Sequence, residues 1–135
     1  MPFCTLSKLE QTPNSVSQFP VWIIQFQSQP RNMEDFEDYL SHVDMLFTYQ
    51  TPFKLVFDAT LVSGMELKYV MRQARHMMDN EENTAQWMVR TSIIVPHPVA
   101  KALLKFLFYL KPPVSVVGIF SDCDAGVDWI TSENP

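Results

Sequence analysis

The chain has 135 residues, of which 47% are hydrophobic and 19% are charged, a composition typical of one globular domain. Ten phenylalanines, three tryptophans and four tyrosines exclude disorder as the main state, because they supply enough apolar surface to build a core. Fifteen acidic against ten basic residues give a formal net charge of -5, which repels phosphate backbones and argues against a nucleic-acid partner. The two cysteines, Cys4 and Cys123, lack a metal-type spacing and suit a reducing compartment.

The N-terminal residues lack the features of a targeting segment. Residues 1–15 have neither a long apolar core nor the arginine-rich character of a transit peptide, so we expect an unprocessed intracellular protein in the cytoplasm. The longest apolar stretch, 102–110, is interrupted by Lys105 and is shorter than the roughly 20 residues that a membrane-spanning helix needs. We therefore expect no transmembrane segment.

Apolar, β-branched and aromatic runs, bounded by proline, glycine or polar residues, predict five strands. In chain order these strands are 3–9, 21–26, 53–58, 89–95 and 114–120. A polar link over 11–18 separates the first two. The run 53–58 is almost continuously apolar, which is typical of a central strand that is covered on both faces.

Apolar residues at helical spacing predict four helices between and after these strands. The first is 33–49, with Asn32 as its cap, and the second opens at Ser63-Gly64, with 79–83 as its fraying end or an acidic extension. The third is 99–110, with Pro98 as first residue, and the fourth is a short C-terminal helix that is capped within 121–124 and runs through Trp129 and Ile130. The alternation of strands and helices predicts a single α/β domain over 1–135, with a mixed, mainly parallel sheet and helices packed on it.

The second predicted helix is amphipathic. Its apolar face is expected to hold Leu67, Val70, Met71, Ala74, Met77 and Met78. Its opposite face is expected to hold Lys68, Arg72, Arg75 and His76.

Sequence motifs of enzymes are absent from the chain. Three glycines are too few for a GxGxxG or Walker loop, and the three histidines form neither HExxH nor part of a GxSxG site. We therefore expect no catalysis, no cofactor and no metal. His97, between two prolines after a strand, is expected to be a surface or capping residue, and its combination with Asp58 or Asp122 at the strand ends is the enzymatic alternative.

The turn over 58–64 joins a buried strand to a helix. It places the hydroxyls of Thr60 and Ser63 beside the helix N-terminus, whose backbone amides favour negative charge. Two interpretations stay open. Either Ser63 is only the helix cap and Asp58 a turn-forming residue before Gly64, or one of the hydroxyls accepts a phosphate.

The whole pattern resembles the SpoIIAA-like group of the STAS superfamily, whose members have an N-terminal strand pair and then alternating helices and parallel strands. The block 114–130 looks like that group's closing strand, acidic cap and Ala-x-x-x-Trp-aliphatic helix. In anti-sigma-factor antagonists of this superfamily, a serine at the start of the second main helix is phosphorylated by a partner kinase. The resemblance gives Ser63 this position and Thr60 a neighbouring hydroxyl position, with Leu61 and Val62 in place of the family's Asp-Ser pair.

The predicted helix 99–110 has more large apolar residues than one buried face needs. At 100° per residue, the core face is expected to be Ala102, Leu103, Phe106, Leu107 and Leu110. The outer side is then Lys101, Leu104, Lys105, Phe108 and Lys111. An exposed leucine and phenylalanine among lysines indicate a protein interface or a membrane-surface contact, unless the N-terminal tail covers them.

We therefore expect a non-catalytic protein-interaction module, a regulatory adaptor or small subunit of a larger assembly, with a protein partner or a homo-oligomer and a phosphorylatable Ser63. The alternative is a carrier of a lipid or other apolar ligand. Five methionines between Met65 and Met88 favour a soft apolar cavity, and the SpoIIAA-like fold is similar to the CRAL-TRIO lipid-binding class. In either case we expect a shared core of Phe57, Ile94, Val117, Phe106 and Leu107.

Overall fold

A computed structural model describes residues 2–9 and 19–132 of the chain. Five strands form one sheet in the sequential order β1-β2-β3-β4-β5, in which β1 is antiparallel to β2 and the other neighbours are parallel. The strands are β1 (Cys4–Lys8), β2 (Val21–Phe26), β3 (Phe53–Asp58), β4 (Met88–Ile94) and β5 (Val116–Phe120). The predicted polar link over 11–18 lies outside the described residues, whereas all five predicted strands are confirmed.

Helices cover both faces of the sheet. They are α1 (Met33–Thr48), α2 (Leu67–Asp79), α3 (Glu81–Trp87), α4 (Pro98–Leu110) and α5 (Cys123–Thr131). Parallel neighbours in sequential order need right-handed crossovers, which put α1, α2 and α4 on one face, while α5 packs against β3, β4 and β5 from the other. Within the described ranges, no helix has the length and apolar character needed to span a bilayer.

Two predicted helix starts are confirmed by side-chain caps. The Asn32 side chain accepts a hydrogen bond from the Asp35 amide at 2.9 Å, and the Asp122 side chain accepts one from the Ala125 amide at 3.0 Å. Both satisfy backbone donors that have no partner within the first helical turn.

The second predicted helix differs from expectation in its extent. It begins at Leu67 and not at Ser63, and residues 81–83, within the expected frayed end, form the start of a separate helix, α3. Glu81 and Glu82 lie in the first turn of α3, where carboxylates are favourable. None of its residues is buried, so α3 has no apolar face that a periodicity search would detect.

The predicted faces of α2 are only partly correct: Val70 and Ala74 are buried as expected, but Leu67 is 57% exposed. His76 is only 6% exposed, whereas Met71 and Met78 are exposed at 49% and 57%. The physical reason is that polar side chains of α2 hydrogen-bond carboxylates on the neighbouring helix α1. Arg72 donates two hydrogen bonds to Glu37, at 2.6 and 2.9 Å, and His76 Nε2 lies 2.7 Å from Asp44 Oδ1.

The main core fills the space between the sheet and α1. Its buried residues include Leu40, Leu46 and Leu55, none more than 1% exposed. Six aromatic rings form a cluster in this core, with the centroids of contacting pairs 5.0 to 6.3 Å apart. They are Phe3 just before β1, Phe26 in β2, Phe57 in β3, Phe36 and Tyr39 in α1, and Tyr69 in α2. Stacked and edge-on ring pairs at these separations stabilise the α1 side of the domain beyond the area that they bury.

The opposite face of the sheet is covered by α5 and carries buried cations. The Lys54 ammonium lies 3.0 Å from the Ser132 carbonyl, and Arg90 donates to the Trp129 carbonyl at 2.9 Å. These carbonyls end α5, where positive charge is favourable. Gly126 permits the close approach, because a Cβ there would lie only 2.8 Å from Cγ1 of Ile94.

The expected shared core is only partly correct. Phe57 and Val117 pack against the α1 side, and Leu107 is buried between α4 and α2. Ile94 instead belongs to the cluster under α5, because alternation along β4 sends it to the other face. The prediction that Phe106 is buried is wrong. Its side chain is 40% exposed, since α4 turns Leu104 and Phe108 towards the core.

The rotation of α4 predicts opposite outcomes for two adjacent truncations. Leu107→Ala should lower the free energy of unfolding by about 2–5 kcal/mol, because it removes a buried side chain. Phe106→Ala should lower it by less than about 1 kcal/mol, because that ring is at the surface. Urea denaturation of both variants measures the difference, and a larger loss for Phe106→Ala would contradict the observed register.

Candidate functional site

A cavity of about 210 Å³ lies between the sheet and the helices α1, α2 and α4. Its sheet side includes Phe57, Thr91, Ile93, Val95 and Val117, and its helix side includes Val70, Met77, Leu103, Leu104, Leu107 and Phe108. Pro112, Pro113 and Val114 also line it and are exposed, so the cavity reaches the surface just after α4 ends. Most of its lining is apolar.

Three polar side chains at the wall of the cavity, Tyr39, His76 and Lys111, already have partners. The Tyr39 hydroxyl donates to Gln73 Oε1 at 2.8 Å, and burial raises the pKa of Tyr39, which keeps the phenol protonated. His76 contacts Asp44 on α1, and Lys111 forms an ion pair with Glu81 on α3. These pairs tie the helices together around the cavity and leave its two basic side chains occupied.

Thr91 is a buried polar residue of this lining. Its residue is 3% exposed, and among the described residues its hydroxyl oxygen has no hydrogen-bond partner. The neighbours Arg90 and Ser92 bond to α5, at Trp129 and Gly126 respectively, so strand alternation turns Thr91 to the cavity side. The sequence analysis missed this residue, because one threonine in an apolar strand gives no signal until the sheet face is known.

The turn over 58–64 is built differently from the prediction. Asp58 Oδ1 accepts hydrogen bonds from the Thr60 amide at 3.0 Å and the Thr60 hydroxyl at 2.5 Å, so Asp58 is a turn-forming residue. Ser63 is exposed and lies before α2, whose cap position is Glu66, so the prediction of a Ser63 cap is wrong. Burial of Val62 at 6% exposure holds this stretch in a non-helical path.

Gly64 lies in the wall of the cavity, beside α4. A Cβ at this position would lie 3.5 Å from Cγ1 of Val99, which is ordinary van der Waals contact. Phosphorylation of Ser63 or Thr60 stays a prediction. The Thr60 hydroxyl is engaged by Asp58, whereas Ser63 is exposed.

The residues of the enzymatic alternative have structural roles at the carboxyl edge of the sheet. His97 Nδ1 accepts a hydrogen bond from the Val99 amide at 3.2 Å, which is the expected capping role. Burial, followed by the carboxylates of Asp58, Asp124 and Asp122, raises the pKa of Cys123 and disfavours a reactive thiolate. Across 2–9 and 19–132, no three side chains of the metal-ligating types cluster.

The predicted outer side of α4 is wrong in three residues, one of which, Lys111, lines the cavity and pairs with Glu81. Leu104 and Phe108 are partly buried and pack against the core, because this side of α4 roofs the cavity. Lys101 instead donates to Ser121 at 2.5 Å, and Lys105 is exposed. The solvent side, here called the α4 outer surface, consists of Val99, Phe106, Tyr109 and Leu110, exposed at 55%, 40%, 82% and 40%.

Asn32 and Ser63 are both predicted helix caps, but only Asn32 caps a helix in the structure, so alanine substitutions at the two positions can be compared directly. Asn32→Ala should lower the free energy of unfolding by about 0.5–2 kcal/mol, because it removes a cap bond. Ser63→Ala should change it by no more than about 0.5 kcal/mol, because Ser63 caps no helix. Thermal and chemical denaturation measure both variants. An equal loss of unfolding free energy in Asn32→Ala and Ser63→Ala would contradict the observed start of α2.

Comparison with known proteins shows similarity at the level of structure. No family model and no curated protein match the sequence. Among solved structures, the chain is similar to an uncharacterized protein of the DUF3478 family from Shewanella loihica PV-4, described as having a SpoIIAA-like fold. The match has a TM-score of 0.58 and covers 96% of this chain and 97% of that chain at 15% identity. The expected α/β architecture is thus confirmed, and the chain has a SpoIIAA-like fold.

Proposed function

We propose that this protein is a non-catalytic binding protein that holds a small apolar molecule between its sheet and helices. The observation that carries the proposal is the apolar cavity of about 210 Å³. The cavity opens at its rim, so water reaches its apolar lining. An apolar ligand would displace that water, and removal of apolar surface from water is favourable by roughly 25 cal/mol for each Å², which supports binding as the role of the cavity.

The size of the cavity limits the ligand. An engineered apolar cavity of about 150 Å³ in another protein binds benzene, so a space of about 210 Å³ suits a molecule somewhat larger than benzene. A whole phospholipid is too large for it. The exposed residues 112–114 at the rim offer a way in without unfolding of the domain.

The surroundings of the cavity support binding over catalysis. His97, Asp58 and Asp122, the residues of the enzymatic alternative, are not among the residues that line it. Of the basic groups that do line it, His76 hydrogen-bonds Asp44 and Lys111 forms an ion pair with Glu81. A nucleophile with a free base beside it is the usual requirement for covalent catalysis, and the described lining offers none.

Two alanines on opposite sides of α4 allow a matched test with toluene as the probe. Ala100 is buried and lines the cavity, whereas Ala102 is exposed. Ala100→Leu should fill part of the cavity and lower toluene affinity at least tenfold, while Ala102→Leu should leave it unchanged. Toluene should also raise the melting temperature of the unmodified protein, because a ligand that binds only the folded state stabilises it.

Calorimetric titration of the three proteins supplies the measurement. Retained toluene binding in Ala100→Leu would place the site elsewhere. Absence of binding by the unmodified protein at millimolar toluene would contradict the proposed function.

Protein interaction is a second candidate function, favoured by the α4 outer surface. A helix that is apolar on both sides is normally covered on both sides. The core side of α4 roofs the cavity, and its solvent side presents Phe106 and Tyr109. At the neighbouring sheet edge, β5 exposes Val116 at 53% and Ile119 at 38%. These exposed apolar side chains fit a protein partner or a second copy of the chain.

Ser63 connects the two candidate functions. It is exposed, as a kinase substrate must be, and it precedes Gly64 and Met65, two residues in the cavity wall. A phosphate on Ser63 would add negative charge at the edge of the site and so couple modification to ligand access. Phosphopeptide mapping of the protein from its native cell tests this part of the proposal.

The interaction function predicts opposite behaviour for two pairs of charge substitutions on α4. Phe106→Glu with Tyr109→Glu should leave the denaturation midpoint nearly unchanged and abolish self-association or capture of a partner. Leu104→Glu with Phe108→Glu should unfold or strongly destabilise the domain, because both side chains pack inside. Sedimentation velocity and circular dichroism distinguish these outcomes, and unchanged association in the first pair would contradict the interface.

A further inference from the structure

The two edge strands of the sheet differ in how well they are protected from pairing with another chain. β1 contains the polar residues Thr5, Ser7 and Lys8, and a lysine on an edge strand opposes further pairing. β5 has the sequence Val-Val-Gly-Ile-Phe, without a charged side chain or a proline. Within the described part of the chain, β4 is the single strand that pairs with β5. An apolar edge without such protection favours pairing with a further strand.

The backbone groups of Val117 and Ile119 point away from β4. The Phe120 carbonyl accepts a hydrogen bond from the Val95 amide at 2.8 Å, so the backbone groups of Phe120 face β4. Successive residues of a strand direct their backbone groups to alternate sides, so Gly118 also faces β4, whereas Val117 and Ile119 face outward. The outer edge of β5 therefore offers two amides and two carbonyls to a further strand.

The sequence of β5 is complementary to itself in an antiparallel arrangement. With Gly118 on a two-fold axis, Val117 of each copy lies opposite Ile119 of the partner subunit, and their outward backbone groups can form four hydrogen bonds. Val116 then lies opposite Phe120 of the partner subunit. Apart from the glycines, every cross-strand pair is apolar, and the pairing covers Val116 and Ile119, which are 53% and 38% exposed.

The same two-fold axis brings two copies of α4 together. Leu107 packs against Val70 and Ala74 of α2, so Tyr109, about 200° further around the helix, lies on the side away from α2. Because α4 connects β4 to β5 by a crossover, it lies over these two strands. Two copies of α4 are then two strand spacings apart, or roughly 10 Å, which is the usual separation of packed helices.

The extent of this surface suits a stable dimer. A stable interface buries roughly 800 Å² on each partner, which the edge of a five-residue strand alone does not supply. Tyr109 is 82% exposed and by itself adds roughly 150–200 Å². Phe106 and Leu110, each 40% exposed, extend the same apolar surface. The β5 edge and the α4 outer surface therefore contribute to one continuous contact.

We infer that the occupant of this surface is a second copy of the chain, and that two copies form a symmetric dimer in which antiparallel β5 strands join two sheets into one of ten strands. This inference rests on the proposed interaction function and adds the partner and the contact. It does not depend on ligand binding, because the cavity lies on the inner side of α4.

Two lysine substitutions of equal charge distinguish the two edges of the sheet. Val116→Lys places a charge opposite Phe120 of the partner subunit and should raise the dimer dissociation constant about tenfold or more, because burial of an unpaired charge is costly. Thr5→Lys adds the same charge at an exposed position of β1 and should leave that constant unchanged. Sedimentation equilibrium measures both constants, and circular dichroism shows whether both variants fold.

Amide hydrogen exchange of the unmodified protein is a second measurement that needs no variant. As the protein concentration rises through the dissociation constant, the Val117 and Ile119 amides should exchange about tenfold more slowly or slower still, because pairing with the partner protects them. The Gly118 and Phe120 amides face β4 and should be protected at every concentration.

Each contrary result overturns a different part of the inference. A protein that stays monomeric at about 1 mM would overturn the dimer, whereas the toluene titration would still decide ligand binding by itself. Self-association that Phe106→Glu with Tyr109→Glu abolishes and Val116→Lys leaves intact would keep the interaction function and overturn the pairing through β5. Exposed Val117 and Ile119 amides in the dimer would do the same. An equal loss of association in Thr5→Lys would show that added charge, and not the β5 edge, controls it.

Discussion

The position of α2 is the constraint on which the candidate site depends. This helix packs chiefly on α4 and α1. Its contacts with α1 include the Phe36–Tyr69 ring pair and two polar contacts, a bidentate Arg72–Glu37 pair and the His76–Asp44 contact. Directional pairs of this kind fix the separation of two helices more strictly than apolar contacts do. Because these contacts hold α2 away from the sheet, the space between them stays open as the cavity.

The two faces of the sheet differ in packing, and the cavity lies on only one of them. On the α5 face, Gly126 lies against Ile94, and Lys54 and Arg90 hydrogen-bond the last carbonyls of α5, so that face is closed and tightly packed. On the helical face, the aromatic rings around α1 fill one half and the cavity occupies the other. A rigid sheet closed on one side is a suitable floor for an apolar binding site on the other.

Helix α4 links the two candidate functions physically. Its inner side, with Leu104, Leu107 and Phe108, roofs the cavity, and its outer surface presents Phe106 and Tyr109 to solvent. A partner bound to the outer surface would restrain the roof, and a ligand beneath it would restrain the same helix from inside. Binding at the two sides of α4 would therefore be coupled, and by linkage each ligand would change the affinity of the other by the same factor.

Local patterns in the sequence determined the strands, the caps at Asn32 and Asp122, the start of α4 at Pro98 and the SpoIIAA-like order of elements, because these depend on side chains close together in the chain. The tertiary structure alone decided which sides of α2 and α4 face inward. Helix α4 has apolar residues around most of its circumference, so periodicity did not select its buried side, whereas in α2 periodicity identified the buried Val70 and Ala74 only. The polar groups of α1 turned His76 inward, and the roof over the cavity turned Leu104 and Phe108 inward in place of Phe106.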